Sequence, residues 1–221
     1  MALLLENGDR IVFAGDSVTD MGRARPIGEG LGDSLGHGYP RMVENLLVAW
    51  YPERRIRVTN VGTGGNTSRD LLARFEREVP VHQTDWLSIC IGINDVWRQF
   101  DSPCIPECAC MPEEYAQNLE QMITMARDKV KGIFLLTPYY IEPNPTDRMR
   151  RRMDEYGAIM KRLAEKHGCI LVDFQQMFSD FLSDNDLHSA LIAWDRVHPN
   201  ELGATLMARE FLRRCGADFC R

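Results

Sequence analysis

Arg10-Ile11-Val12-Phe13-Ala14-Gly15-Asp16-Ser17-Val18-Thr19-Asp20 begins as an apolar run and turns abruptly polar. Residues 10–14 read as a short strand without a polar face, and such strands sit in sheets covered on both sides. The pattern recurs at 56–61, 86–91, 133–136 and 169–172. Amphipathic stretches lie between. Residues 38–50 place Met42, Leu46, Leu47 and Trp50 at helical spacing. Thr67 suits the N-cap of a helix reaching Glu78, with Pro80 after its end. Pro112, followed by Glu113 and Glu114, opens a helix to about residue 130. A long helix spans 147–167, and Gly168 closes it. The remainder reads as helical apart from the turn at 195–199. Five strands separated by helices predict an α/β fold: a three-layer α/β/α sandwich on a five-stranded parallel sheet, formed as one domain over 1–221.

Bulk composition narrows the function classes. The chain has 221 residues, 44% hydrophobic and 26% charged, enough for one well-buried core. Its net charge of −6 gives no electrostatic drive toward nucleic acid or an anionic membrane. The basic run Arg148-Met149-Arg150-Arg151-Arg152 reads as a solvated helix face. No apolar stretch approaches the roughly 20 residues that span a bilayer. Met1-Ala2-Leu3-Leu4-Leu5 lacks the basic start, long apolar middle and cleavage site of a signal peptide. The expected location is therefore cytoplasmic, with a form whose signal has already been removed as the other reading. No internal repeat or low-complexity segment interrupts the chain.

In parallel α/β sheets, ligands bind beyond the carboxyl ends of the strands. There the chain places Gly15-Asp16-Ser17-Val18-Thr19-Asp20, then Asn60-Val61-Gly62-Thr63-Gly64-Gly65-Asn66, then Gly92-Ile93-Asn94-Asp95. Asp195-Arg196-Val197-His198-Pro199 follows near the end. A serine hydroxyl is a weak nucleophile that needs an adjacent base. His198 can supply it, and Asp195 can hold the imidazole tautomer and stabilise the imidazolium. A developing oxyanion needs donors. The N–H groups of Ser17 and Gly62 and the side-chain amide of Asn94 are suitable.

These four segments resemble, in order, the four sequence blocks of the SGNH (GDSL-type) hydrolase family, across nearly the whole chain. The resemblance places the family's serine on Ser17, its glycine on Gly62, its asparagine on Asn94, its histidine on His198 and its triad acid on Asp195. Val18 stands where the family name has leucine. Thr19 to Pro26, Gly92 to Gln99 and Ala193 to Pro199 are further similar to an acetylxylan esterase branch of that family. This likeness implies a serine carbohydrate esterase that deacetylates xylo-oligosaccharides or xylan through an acetyl-serine intermediate. It also implies a homo-oligomer, a small carbohydrate ester as substrate, and no metal or organic cofactor. Two other functions are weighed beside it. A lipolytic or thioesterase-type acylhydrolase would prefer octanoate to acetate esters. A non-catalytic carbohydrate-binding protein would hold acetylated sugar without turnover.

Other residues are weighed against plain structural roles. Gly32-Asp33-Ser34-Leu35-Gly36 spells the family name literally and also fits a G-x-S-x-G elbow, but no strand precedes it. A flexible glycine-rich loop is the expectation. Asp16 is expected to brace the nucleophile turn, Asp20 to cap the following helix, and Asn66 to support the oxyanion loop. Asp173 is a rival triad acid. Trp97 and Trp194 flank the catalytic blocks, where core packing and contact with sugar are equal readings. Arg23, Arg25, Tyr139 and Tyr140 are rim candidates. His37 reads as a loop histidine, and His82, His167 and His188 carry no assigned role. Of seven cysteines, Cys90 and Cys169 read as buried thiols, Cys104, Cys108 and Cys110 share a loop, and Cys215 and Cys220 lie near the C-terminus. Reduced thiols are preferred to an internal disulfide in that loop. A zinc site lacks the paired C-x2-C units and a neighbouring histidine.

Overall fold

The computed structural model describes residues 3–30, 32–79 and 83–219. Met1, Ala2, Pro80, His82 and Cys220, each named in the sequence analysis, lie outside the described residues. Five strands, β1 (Arg10–Gly15), β2 (Arg57–Asn60), β3 (Trp86–Cys90), β4 (Gly132–Leu136) and β5 (Ile170–Val172), form one sheet. Their order is β2-β1-β3-β4-β5, and every pairing is parallel. The expected five-stranded parallel sheet is therefore present, in the flavodoxin-like order. Each expected strand appears, shortened or extended by one or two residues at its ends.

Helices cover both faces. α2 (Tyr39–Trp50), α7 (Phe174–Asp184) and α8 (Glu201–Arg214) pack as one layer. α3 (Ser68–Glu78), α5 (Pro112–Ala126) and α6 (Arg148–His167) pack as the other. Aromatic side chains knit the first layer to the sheet. The Phe13 ring meets Tyr39 edge-on at 5.4 Å, Phe211 lies 5.1 Å from Phe13, and Phe134 lies 4.7 Å from Phe211. Such pairs contribute beyond the apolar area they bury.

Local chemistry explains the helix ends. Thr67 caps α3 in a reciprocal capping box with Asp70. Asp147 accepts from the N–H groups of Met149 and Arg150 at the start of α6, and Gly168 closes it in the left-handed conformation. Two helices differ from the sequence reading. α1 (Ser17–Asp20) is a single turn, and α4 (Ile93–Asp101) begins where only a loop was expected.

The strand register sets the site. Phe13 pairs with Asn60, Gly15 with Cys90, Cys90 with Leu136, and Leu136 with Val172. The carboxyl ends of the strands therefore finish nearly level. β1 lies between β2 and β3, so the chain's direction of travel across the sheet reverses beside it. Crevices at such reversals are where open α/β sheets bind ligands.

Candidate active site

Ser17 leaves β1 as the first residue of α1. Asp16 caps that turn by accepting from Val18 N–H at 3.0 Å. The Asp16 carboxyl is wholly buried, and its Oδ2 has no hydrogen-bond partner among the described residues. Burial pushes it up to about 7, the Val18 N–H opposes that rise, and nearby Asp95 adds to it. Asp95 is itself buried against the N–H and hydroxyl of Ser68. Burial outweighs those bonds and raises it to about 6.

Ser17 Oγ lies 2.8 Å from His198 Nε2. His198 Nδ1 lies 2.6 Å from Asp195 Oδ2. The other oxygen of Asp195 accepts from the N–H groups of His198 at 2.8 Å and Val197 at 3.0 Å. Burial pushes the Asp195 carboxyl up, but these bonds outweigh it and hold the group below the usual carboxylate range. The structure thus brings Ser17, Asp195 and His198 together, with the hydrogen-bond connectivity of a nucleophile, a base and an orienting acid. The rival acid Asp173 lies elsewhere, capping α7 and pairing with Lys161.

The second segment requires a correction. Gly62 N–H is already committed, donating to Asn60 Oδ1 at 2.9 Å. Glycine is needed there for packing, because a Cβ would sit 2.4 Å from the backbone nitrogen of Asp20. Gly65 has the features of a donor instead. It is exposed, has φ +79°, and its N–H has no partner among the described residues. On one side of it stands Gly64, where a Cβ would lie 4.0 Å from that of Ser17. On the other side is Asn66, whose carbonyl accepts from Asn94 Nδ2 at 3.0 Å. The positive φ suits glycine. Asn94 lies in the first turn of α4, with Arg98 donating to its Oδ1 at 3.1 Å. Asn66 thus links the two segments.

Several supports differ from their sequence reading. Asp20 does not cap a helix. It accepts from Gly64 N–H at 2.9 Å and pairs with Arg25 at 2.5 Å. Arg23 is not a rim residue but is buried, with Nε donating to Gly62 O at 2.7 Å. Tyr139 is also buried, donating to Val197 O at 3.0 Å. The loop around Ser34 is tied into the fold: Leu35 lies in the core and Ser34 O accepts from Ala24 N–H. Arg74, absent from the sequence reading, donates to Val61 O, Gly15 O and Asn66 Oδ1 at 2.7, 3.0 and 2.8 Å. Its sequence signal is a cation on the stripe Leu71, Arg74, Phe75, Glu78, two of whose members are core residues.

At the rim, the Trp97 ring lies 5.8 Å from that of His198, with the Arg98 guanidinium on its ring. Trp194 is 91% exposed beside the triad turn. His37 is an exposed loop residue, and His167 pairs with Glu120. The six described cysteines are free thiols. Among the described residues, no three His, Cys, Asp or Glu side chains group as metal ligands.

Residues 13–206 match the model of the GDSL-like lipase/acylhydrolase family. The chain belongs to that family. An acetylxylan esterase of Geobacillus stearothermophilus is 48% identical over 215 residues, covering 97% of each chain. A crystal structure of an acetylxylan esterase from that organism matches with a TM-score of 0.95 at 48% identity, covering 98% of each chain. That esterase has also been solved as catalytic mutants in which a serine, an aspartate or a histidine is replaced by alanine. A more distant relative, thioesterase 1/protease 1/lysophospholipase L1 of Escherichia coli, is 25% identical over 173 residues, covering 77% of this chain and 74% of that one.

Proposed function

We propose that the protein is a serine acetylesterase that removes acetyl groups from xylo-oligosaccharides or xylan. The observation that carries this reading is the Ser17–His198–Asp195 chain of contacts, at 2.8 and 2.6 Å. It is joined to 48% identity with an acetylxylan esterase across 97% of the chain. That likeness favours the acetylesterase over the thioesterase-type reading. A complete nucleophile, base and acid disfavours a protein that only binds sugar.

In the proposed path, Ser17 Oγ attacks the acetyl carbonyl carbon while His198 Nε2 takes its proton. The carbonyl oxygen becomes an oxyanion, facing the N–H groups of Ser17 and Gly65 and the Nδ2 of Asn94. Collapse breaks the bond to the sugar oxygen, which leaves as a hydroxyl with the proton from His198. Water then attacks acetyl-Ser17, again giving its proton to His198, and releases acetate and free Ser17. Asp195 stays ionised throughout. No metal or organic cofactor is needed at any step.

Trp97 and Trp194 present aromatic faces suited to the apolar C–H patches of sugar rings. Residues 1–221 are assigned to a single hydrolase domain. No described helix is long and apolar enough to cross a membrane. A cytoplasmic location and a homo-oligomeric state complete the reading.

The test is acetate release from acetylated xylo-oligosaccharides, with wild type beside Ser17→Ala. Release by wild type, abolished in the mutant, supports both nucleophile and substrate. Cleavage of a small acetate ester through Ser17 with those sugars left intact would overturn the substrate and keep the nucleophile.

A further inference from the structure

The turn carrying Asp195 and His198 is open to solvent: the two side chains are 36% and 35% exposed. Between them stands Arg196 with φ +64°, a conformation that non-glycine residues seldom adopt. If the turn required only this backbone shape, glycine would supply it without strain. The arginine side chain does something more. Its Nη1 forms an ion pair with Glu142 Oε2, and the Glu142 side chain is only 10% exposed. The other oxygen of Glu142 accepts from Asn144 N–H at 2.8 Å.

The same loop, between β4 and α6, grips the turn through its backbone. Ile141 N–H donates to Arg196 O at 2.9 Å, and Tyr139 Oη donates to Val197 O at 3.0 Å. The loop is anchored in turn by Arg150 donating to Glu142 O at 2.6 Å and by Tyr140 N–H donating to Gln175 Oε1 at 2.8 Å. Ile141 and Glu142 of this loop line a cavity of about 370 Å3 with Arg150, Gln175 and Phe178.

We infer that Glu142 and Arg196 are positioning residues for the triad. Their ion pair holds the 195–198 turn in the shape that directs His198 Nε2 at Ser17 Oγ. The inference rests on the proposed roles of Ser17, Asp195 and His198. Neither Glu142 nor Arg196 touches the reacting atoms. A small displacement of a catalytic group is enough to cost up to about 100-fold in rate.

The experiment is steady-state hydrolysis of an aryl acetate, with kcat and KM resolved and thermal unfolding followed for every variant. Arg196→Gly is expected to keep its unfolding midpoint and KM while kcat falls roughly 10-fold, within the range that misplacement produces. Arg196→Lys should recover part of that loss, because an ammonium also pairs with Glu142. Glu142→Gln should lower kcat similarly. The double variant Glu142→Gln with Arg196→Gly should be no worse than Arg196→Gly alone, because removing Arg196 already removes its pairing with Glu142. Wild-type kcat in Arg196→Gly, or losses that multiply in the double variant, would overturn the positioning role. So would a loss that merely tracks the unfolded fraction. Ser17→Ala, run alongside, separates the two levels. Full activity in Ser17→Ala defeats the triad itself, whereas an inactive Ser17→Ala beside a fully active Arg196→Gly defeats only the positioning inference.

Discussion

Ser17 and His198 face each other across 2.8 Å, yet they are held by opposite means. The nucleophile rises from the middle of the sheet. Asp16 beneath it is wholly buried, and Gly62, Arg23, Asp20 and Arg74 tie the neighbouring loop to the strand ends. The base stands on a four-residue turn near the C-terminal helix, shaped by its own acid and gripped by one loop. One half of the site is braced redundantly by packing and by several hydrogen bonds, and the other depends on a few polar contacts. The half nearer the core should tolerate loss of a single brace. The half on the turn should lose turnover with each contact removed, and most with the loss of its acid.

The sharpest way to break this contrast is Asp195→Asn. The amide would keep the side chain's shape but lose the carboxylate that fixes the His198 tautomer. Turnover of an acetate ester should fall on the order of 1,000- to 10,000-fold, with little change in the unfolding midpoint. A loss under 10-fold would show that the turn holds His198 without its acid.

A milder break falls on the braced half. Asn94→Ala removes a proposed oxyanion donor and should cost on the order of 100- to 1,000-fold in kcat. Asp20→Ala removes the acceptor that holds Gly64 N–H together with the partner of Arg25. Arg23 and Arg74 remain to grip the loop, so about 10-fold or less is expected, smaller than displacement of a catalytic group can cause. Asp20→Asn should restore most of that. Equal losses in Asp20→Ala and Asn94→Ala, read as kcat against KM, would remove the claim of redundancy.

Sequence and structure agree most closely where one local signal decides the outcome. Residues 11–14, 133–136 and 170–172 carry no polar face, so their strands were legible. Thr67 and Gly168 sit at helix ends that their own chemistry dictates. Ser17, Asp195 and His198, singled out by residue type and order, come within hydrogen-bond reach of one another. Three glycines within four residues were harder to separate. Gly62 is required by close packing against Asp20, and Gly65 by its positive φ; sequence shows only that both are glycine. Arg23 illustrates the same limit. An arginine beside other charged and polar residues reads as surface, and only the tertiary fold shows that its guanidinium enters the loop to meet Gly62 O and Pro26 O. The start of α4 was missed because Gly92 has φ +127° and leaves the chain without a side-chain cap to read.

The finest test of the comparison is in stability rather than rate, and it concerns the buried floor under Ser17. Asp16 lies within electrostatic reach of Asp95 on α4, Cys90 on β3, Tyr39 on α2, Tyr115 on α5 and Tyr139 on the loop after β4, with no cation among these groups. Its pKa is raised to about 7 in the folded protein, from 3.8 in an ordinary setting. Between those limits the unfolded chain has released the proton and the folded protein still holds it. The unfolded state then binds fewer protons, so stability falls as pH rises from about 4 to 7, and below that window the cost is absent. Asp95, raised to about 6, adds a slope of the same sign between roughly 4 and 6. Asp16→Asn keeps an acceptor for Val18 N–H but cannot ionise. Whatever fixed cost the amide carries is the same at every pH, so the slope is the quantity to read. Denaturant unfolding at steps from pH 4 to 8 should show a shallower decline in the variant, with the difference in slope largest at about pH 5 to 6, where the unfolded chain has released the Asp16 proton and the folded protein still holds it; the Asp95 slope is common to both proteins. Parallel curves would mean that Asp16 ionises normally and that its Oδ2 has a partner under the nucleophile after all.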